Sequence, residues 1–160
     1  MPRVVMVLTN PTLKVADSQA ALAAGTAYEC QVTSAVISTN VTMNTIPATG
    51  CAGASQSPGA PGYQLDLAWL QDWTAPAGGL SGWAWTNRLT KKWVLLVPDP
   101  AAPTVTAEGE VWVVPGQFGG VFGDGSAAPA TATWAFVNDP DITPAVVAAA
   151  EVEAPETVDA

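Results

Sequence analysis

The chain has 160 residues, 49% of them hydrophobic, with fourteen acidic and five basic side chains, no His and a formal charge of −9. That length supports one domain with a buried core, and the acidic balance excludes a nucleic-acid grip, which needs clustered Lys and Arg against phosphate. Without imidazole there is no Ser-His triad or His-containing metal site, and two Cys cannot make a four-thiolate zinc site.

Residues 4–9 read as a first strand ended by the turn signal Asn10 and Pro11, and residues 12–16 as a second. The apolar run at 4–8 is too short for a signal-peptide core, and no segment approaches the ~20 apolar residues of a membrane span. The expectation is a soluble protein made in the cytoplasm, without a membrane anchor. Residues 18–24 are Ala-rich between Asp17 and Gly25, which predicts one or two helical turns. From Tyr28, the alternation of Tyr28, Cys30 and Val32 against Glu29, Gln31 and Thr33 predicts a half-buried strand running to about residue 39. Cys30 in that strand and Cys51 in the following segment read as two free thiols in a reducing compartment.

Residues 40–62 carry no charge and are rich in Thr, Ala, Ser, Gly and Pro. A loop that long inside a compact domain tends to be functional or ordered by a partner. The alternation of Val41, Met43 and Thr45 also fits an extended hairpin arm. In either form the segment is a contact element, with Val41, Met43, Ile46, Pro47, Pro58 and Pro61 as candidate subunit or ring contacts.

Tyr63, Leu65, Leu67 and Trp69 alternate with Gln64, Asp66 and Ala68, a strand with one polar face. Residues 80–89 are the best helix, with Ser81 as cap and Trp85 and Leu89 on one face. Arg88, Lys91 and Lys92 follow its C-terminus, where cations suit the dipole, and read as a solvated patch. Residues 93–97, apolar on both faces, fit a strand between a sheet partner and a covering helix. Strands at 105–114 and 131–137 complete the set, with Trp134 and Phe136 on one face of the last, and the Gly-rich stretch 119–125 between them reads as a hairpin turn. Asp139, Pro140 and Asp141 have turn chemistry rather than calcium-loop spacing. The predicted organisation is a β domain over residues 1–143 and an acidic Ala/Val/Glu tail over 144–160.

One catalytic constellation needs weighing. Glu108 and Glu110, two apart on a strand, share a face at roughly the separation of an inverting glycosidase pair, with Trp69, Trp112 and Trp134 as sugar-stacking surfaces. Carboxylates so placed point together into water instead of flanking a bond from opposite sides. The expectation is no enzymatic activity and no cofactor.

The order of these pieces resembles the major tail (tail tube) proteins of long non-contractile-tailed bacteriophages, especially those of actinobacteria. The resemblance is carried by residues 28–34, by strand 63–70 with Gln71, Asp72 and Trp73, by Gly78, Gly79, Leu80 and Ser81 with Trp85 and Asn87, and by residues 109–115 leading to Phe118, Gly119 and Gly120. It spans residues 4–142 and lapses in the Ala-rich stretch 18–24 and the acidic end.

What the resemblance implies is an antiparallel β-sandwich or barrel with one short flanking helix and six copies to a ring. Rings stack into a tube around a tape-measure protein, and the tube is later a genome conduit that DNA transits without specific binding. Its partners are then itself, the tape-measure protein, a tail terminator and tail-tip proteins; its place is the virion tail, assembled in the host bacterial cytoplasm. In that family an extended loop between early strands reaches a neighbour, and residues 40–62 occupy that place. An acidic lumen repels phosphate over a Debye length of roughly 8–10 Å. Glu29, Asp66, Glu108 and Glu110, on polar strand faces, are the lumen-facing candidates. The competing readings are a virion decoration or head-tail connector protein, and a carbohydrate-binding or glycosidase module.

Overall fold

Short apolar runs cut by Pro and Gly build β-strands here, and their alternation turns one face of each strand inward. The computed structural model describes residues 11–47, 55–75, 78–100, 105–119 and 128–143. Among these residues lie β1 (Thr12–Ala16), a 3-10 helix (Gln19–Ala24), β2 (Thr26–Ala27), β3 (Val32–Ile46), β4 (Ser55–Leu70), α1 (Gly79–Thr86), β5 (Lys91–Val97), β6 (Thr106–Trp112), β7 (Pro129–Ala135) and β8 (Asp141–Thr143). They form a five-stranded sheet in the order β2-β1-β5-β6-β8 and a three-stranded sheet in the order β3-β4-β7, with every pairing antiparallel. The fold is mainly β, a sandwich with a short helix.

The inward faces meet as one core. Leu13, Val15, Val94, Leu96 and Val111 come from the larger sheet, and Ala35, Leu65, Leu67, Trp69, Ala130 and Trp134 from the smaller. Trp69 and Trp134 are essentially inaccessible, and each indole N–H has its acceptor: Trp69 Nε1 donates to Ser81 Oγ at 2.8 Å and Trp134 Nε1 to the Val114 carbonyl at 2.7 Å. A buried indole without such a partner would cost about 1–3 kcal/mol. Both bonds tie a ring to a neighbouring segment, so the largest side chains also set where those segments sit.

Helix α1 closes one end of the sandwich, with Leu80 and Ala84 in the core and Trp83 against Trp134 at 5.9 Å between ring centroids. Its N-terminus is satisfied from a distance, the Leu80 amide donating to Gln31 Oε1 at 2.8 Å. The helix stops at Thr86 rather than residue 89, because side chains take its last carbonyls: Asn87 Nδ2 bonds the Trp83 oxygen and an Arg88 guanidinium N–H the Trp85 oxygen. Leu89 then adopts φ 57°, so the helical face expected to pair Trp85 with Leu89 does not form. The 3-10 helix follows the Ala-rich expectation, with Ser18 at its N-cap. It packs on β1 and β5 and sends Gln19 Nε2 to Glu108 on the outer face of the larger sheet. This is why β5 is apolar on both sides.

Three further expectations change. The strand foreseen from Tyr28 begins at Val32, and residues 29–31 form a turn. A bulge at Thr33, between the pairs Val32↔Trp69 and Ser34↔Ala68, switches the inward parity, so Ala35 and Ile37 continue the face that Val32 starts. The segment between 114 and 131 is not a hairpin turn between strand neighbours, because β7 pairs with β4 in the other sheet. Beyond β7 the chain crosses back: the Phe136 amide bonds the Tyr63 carbonyl at 3.0 Å and the Val137 amide the Glu110 carbonyl at 2.8 Å, stitching the sheets together along one side. The turn read at 139–141 leads directly into β8, which pairs with β6. The strand foreseen at 4–9, the acidic tail at 144–160, Cys51 and most of the Gly-rich stretch lie outside the described residues.

Candidate assembly surface

Strands β3 and β4 are 15 and 16 residues long and remain paired from Val32↔Trp69 out to Ile46↔Ser55. Only their roots are buried. Residues 39–47 are all exposed, and 55–62 are exposed or half-exposed. Of the two forms open to residues 40–62, the chain takes the hairpin arm. From Ile37 to Ile46 it projects roughly 30 Å beyond the body, at about 3.3 Å per residue. A two-stranded ribbon alone in water is marginally stable, so this element gains most from a surface to lie on.

Cross-strand register decides which candidate contacts share a face. Ile37 pairs with Leu65, Thr39 with Tyr63, Val41 with Pro61, and, after a bulge containing Gly59, Met43 with Pro58. A Cβ at position 59 would stand 3.0 Å from the Thr42 carbonyl oxygen, so the bulge suits glycine. Val41, Met43, Pro58 and Pro61 therefore form one apolar stripe, the uncovered continuation of the face that is buried core in the body. Ile46 lies on the opposite face of the ribbon, and Pro47, just beyond β3, is exposed. Val41, Met43 and Ile46 are 43%, 51% and 51% accessible, large values for apolar side chains on an ordered element.

The edges of the arm differ. Among the described residues nothing pairs with the outer edge of β3, and its 15 residues include no charge and no Pro. Natural sheets guard long edges with charge, Pro, bulges or cover. Past Tyr63, β4 is also without an outer partner among the described residues, but Pro58 and Pro61 have no N–H to offer there. β2 and β8, the edges of the larger sheet, are two and three residues long. Among the described residues one long edge is left open to strand addition.

The acidic candidates do not converge. Asp66 sits in the outer face of the three-stranded sheet, accepting from Thr133 Oγ1 at 2.7 Å, Ser38 Oγ at 2.9 Å and Gln64 Nε2 at 3.3 Å. The Thr133 hydroxyl, ahead of the other two donors, holds its carboxyl below the usual carboxylate range against some desolvation. Glu108 and Glu110 do share a face, but it is the outer face of the five-stranded sheet, on the other side of the sandwich. There Glu108 stands opposite Asp141 across the β6–β8 ladder and accepts from Gln19. Glu29 is exposed in the turn before β3. Ser38 and Thr133, 28 and 67 residues from Asp66 in sequence, were not singled out from the sequence, since no local pattern signals a partner on another strand.

Of the basic cluster, Lys92 pairs with Asp17, Arg88 returns to the end of α1, and the Lys91 ammonium lies 5.2 Å from the Trp112 ring centroid. Cys30 is an exposed free thiol. Among the described residues no three His, Cys, Asp or Glu side chains are grouped to hold a metal ion, and no helix is long and apolar enough to cross a membrane. No protein-family model matches the chain, and no curated protein matches it in sequence.

Proposed function

We propose that this protein is a structural subunit that polymerises with copies of itself, in the manner of a tail-tube protein, into rings stacked as a conduit. The observation that carries the reading is the β3–β4 arm: a paired ribbon outside the body, apolar along one face and, among the described residues, without charge, Pro or a strand partner along the outer edge of β3. Such an element is costly to an isolated monomer and suited to a heterologous contact repeated around a ring. Its partners on this reading are other copies first, then the tape-measure, terminator and tip proteins of a virion tail. It performs no reaction and needs no cofactor.

The charge fits a passage that must not hold DNA. Asp66 and the Glu108/Glu110 pair occupy opposite faces, so one lumen wall takes one set or the other. We assign the lumen to the outer face of the three-stranded sheet, where Asp66 stands among Ser38, Thr131 and Thr133, because the opposite face is partly covered by the 3-10 helix. A tube reconstruction with Asp66 on the outside would overturn that assignment.

Sedimentation velocity and negative-stain microscopy of the purified protein test the reading. Rings or tubes are expected above a threshold concentration, and Val41→Lys should raise that threshold while leaving the melting temperature within about 1–2 °C, as a surface change does. A strict monomer at every concentration would refute self-assembly and favour a decoration or connector protein that needs a pre-formed lattice. Binding on a glycan array by such a monomer would instead revive the carbohydrate reading.

A further inference from the structure

At the arm end of the sandwich the two sheets part and leave an apolar cleft of about 330 Å³, lined by Ala35, Ile37, Leu96, Pro98, Ala107 and Ile142 among others, none of them charged. Thr106 is the one polar residue among the described residues of the lining, too little to orient a small polar ligand. We propose that this cleft receives the arm of a second copy, with Met43 seated in it and Val41 and Pro58 on its rim. The inference rests on the self-assembly reading and adds the place where the arm docks.

Charge selects the pair of surfaces. Two copies at −9 repel one another, and described residues 38–47 and 55–65 of the arm carry no charge, like the cleft lining. Contact there brings no like charges together. Reach excludes the arm's own cleft: Met43 lies six residues, roughly 20 Å, beyond Ile37 on a continuous ladder, and Ile37 itself lines the cleft. The arm cannot fold back without breaking that pairing. An unbranched Met side chain suits an irregular apolar gap, and an arm-into-cleft contact is heterologous, as ring closure requires.

Full-length protein in a Cys30→Ser, Cys51→Ser background provides the test. Met43→Cys and Ile142→Cys are made in separate, differently tagged chains, mixed under assembly conditions and oxidised; Met43→Cys with Thr133→Cys is the control. The expected result is a heterologous disulfide between the two tagged chains for positions 43 and 142, and little for 43 and 133. Met43→Glu should abolish the larger species while the monomer keeps its circular dichroism and melting temperature, and Met43→Leu should restore them. Assembly that proceeds without linkage between 43 and 142 would overturn the docking and leave self-assembly standing. A cleft filled by this chain's own residues 4–8 or by a small apolar molecule gives that same unlinked result. Absence of assembly in the unsubstituted protein would refute both.

Discussion

Ser81→Ala removes the acceptor of the Trp69 indole N–H. The bond is 2.8 Å long, with Trp69 1% and Ser81 2% accessible, so water does not replace the lost hydroxyl. An unpaired buried donor costs about 1–3 kcal/mol. Alanine in the first turn of α1 returns up to roughly 0.5 kcal/mol of helix propensity, leaving a net loss of about 0.5–3 kcal/mol. In a Trp69→Phe background no donor remains to be stranded, and the same substitution becomes neutral or slightly stabilising. The coupling between the two sites is therefore about 1–3 kcal/mol. Urea unfolding of the four proteins measures it, with indole fluorescence and far-UV circular dichroism required to coincide before a two-state free energy is taken. For a chain of this length each kcal/mol corresponds to a drop of about 2–4 °C in melting temperature. Equal losses from Ser81→Ala in both backgrounds would refute the account. Because α1 closes the end of the sandwich away from the arm, Ser81→Ala should leave assembly unchanged once the protein is folded.

Other outcomes follow from the same geometry. Asp66 has a folded pKa below its unfolded value of about 3.9, so its carboxylate stabilises the fold above that pH and the contribution is lost as pH falls through the lowered folded value. Asp66→Asn should lower the melting temperature at neutral pH and flatten its fall as pH drops below the ordinary Asp range; an unchanged acid limb would contradict the hydrogen-bonded carboxylate. Gly109→Ala places a Cβ 2.7 Å from the Phe136 ring, and overpacking of this kind costs about 1–3 kcal/mol; in a Phe136→Ala background urea melts should show most of that loss recovered. In dilute monomer, amides of residues 39–46 and 55–62 should exchange faster than those of the β4 root around Leu65 and Leu67, and slow on assembly, since only the root is held by the core.

The strand content was legible from local pattern, because an alternation such as Leu65, Leu67 and Trp69 needs only its immediate neighbours to be read. The same holds for the uncharged stretch 40–62. Which residues share a surface was not legible. The bulge at Thr33 reverses the inward parity of β3 and was hidden, since an inserted residue carries no side-chain signature of its own. The partners of Asp66 and the crossing of β7 to the other sheet depend on strand pairings set by long-range packing.

Sequence alone determined a mainly β chain, acidic overall, with a long uncharged segment in its first half. Tertiary structure decided that the segment's described residues form a paired ribbon continuing the core face into solvent, that β3 is an edge among the described strands, and that Asp66 and the Glu108/Glu110 pair lie on opposite sides of the sandwich. The physical reason is that alternation fixes a strand's two faces relative to each other, whereas register and sheet order, which arise only when distant strands pair, decide which face is covered and which is left open to a partner.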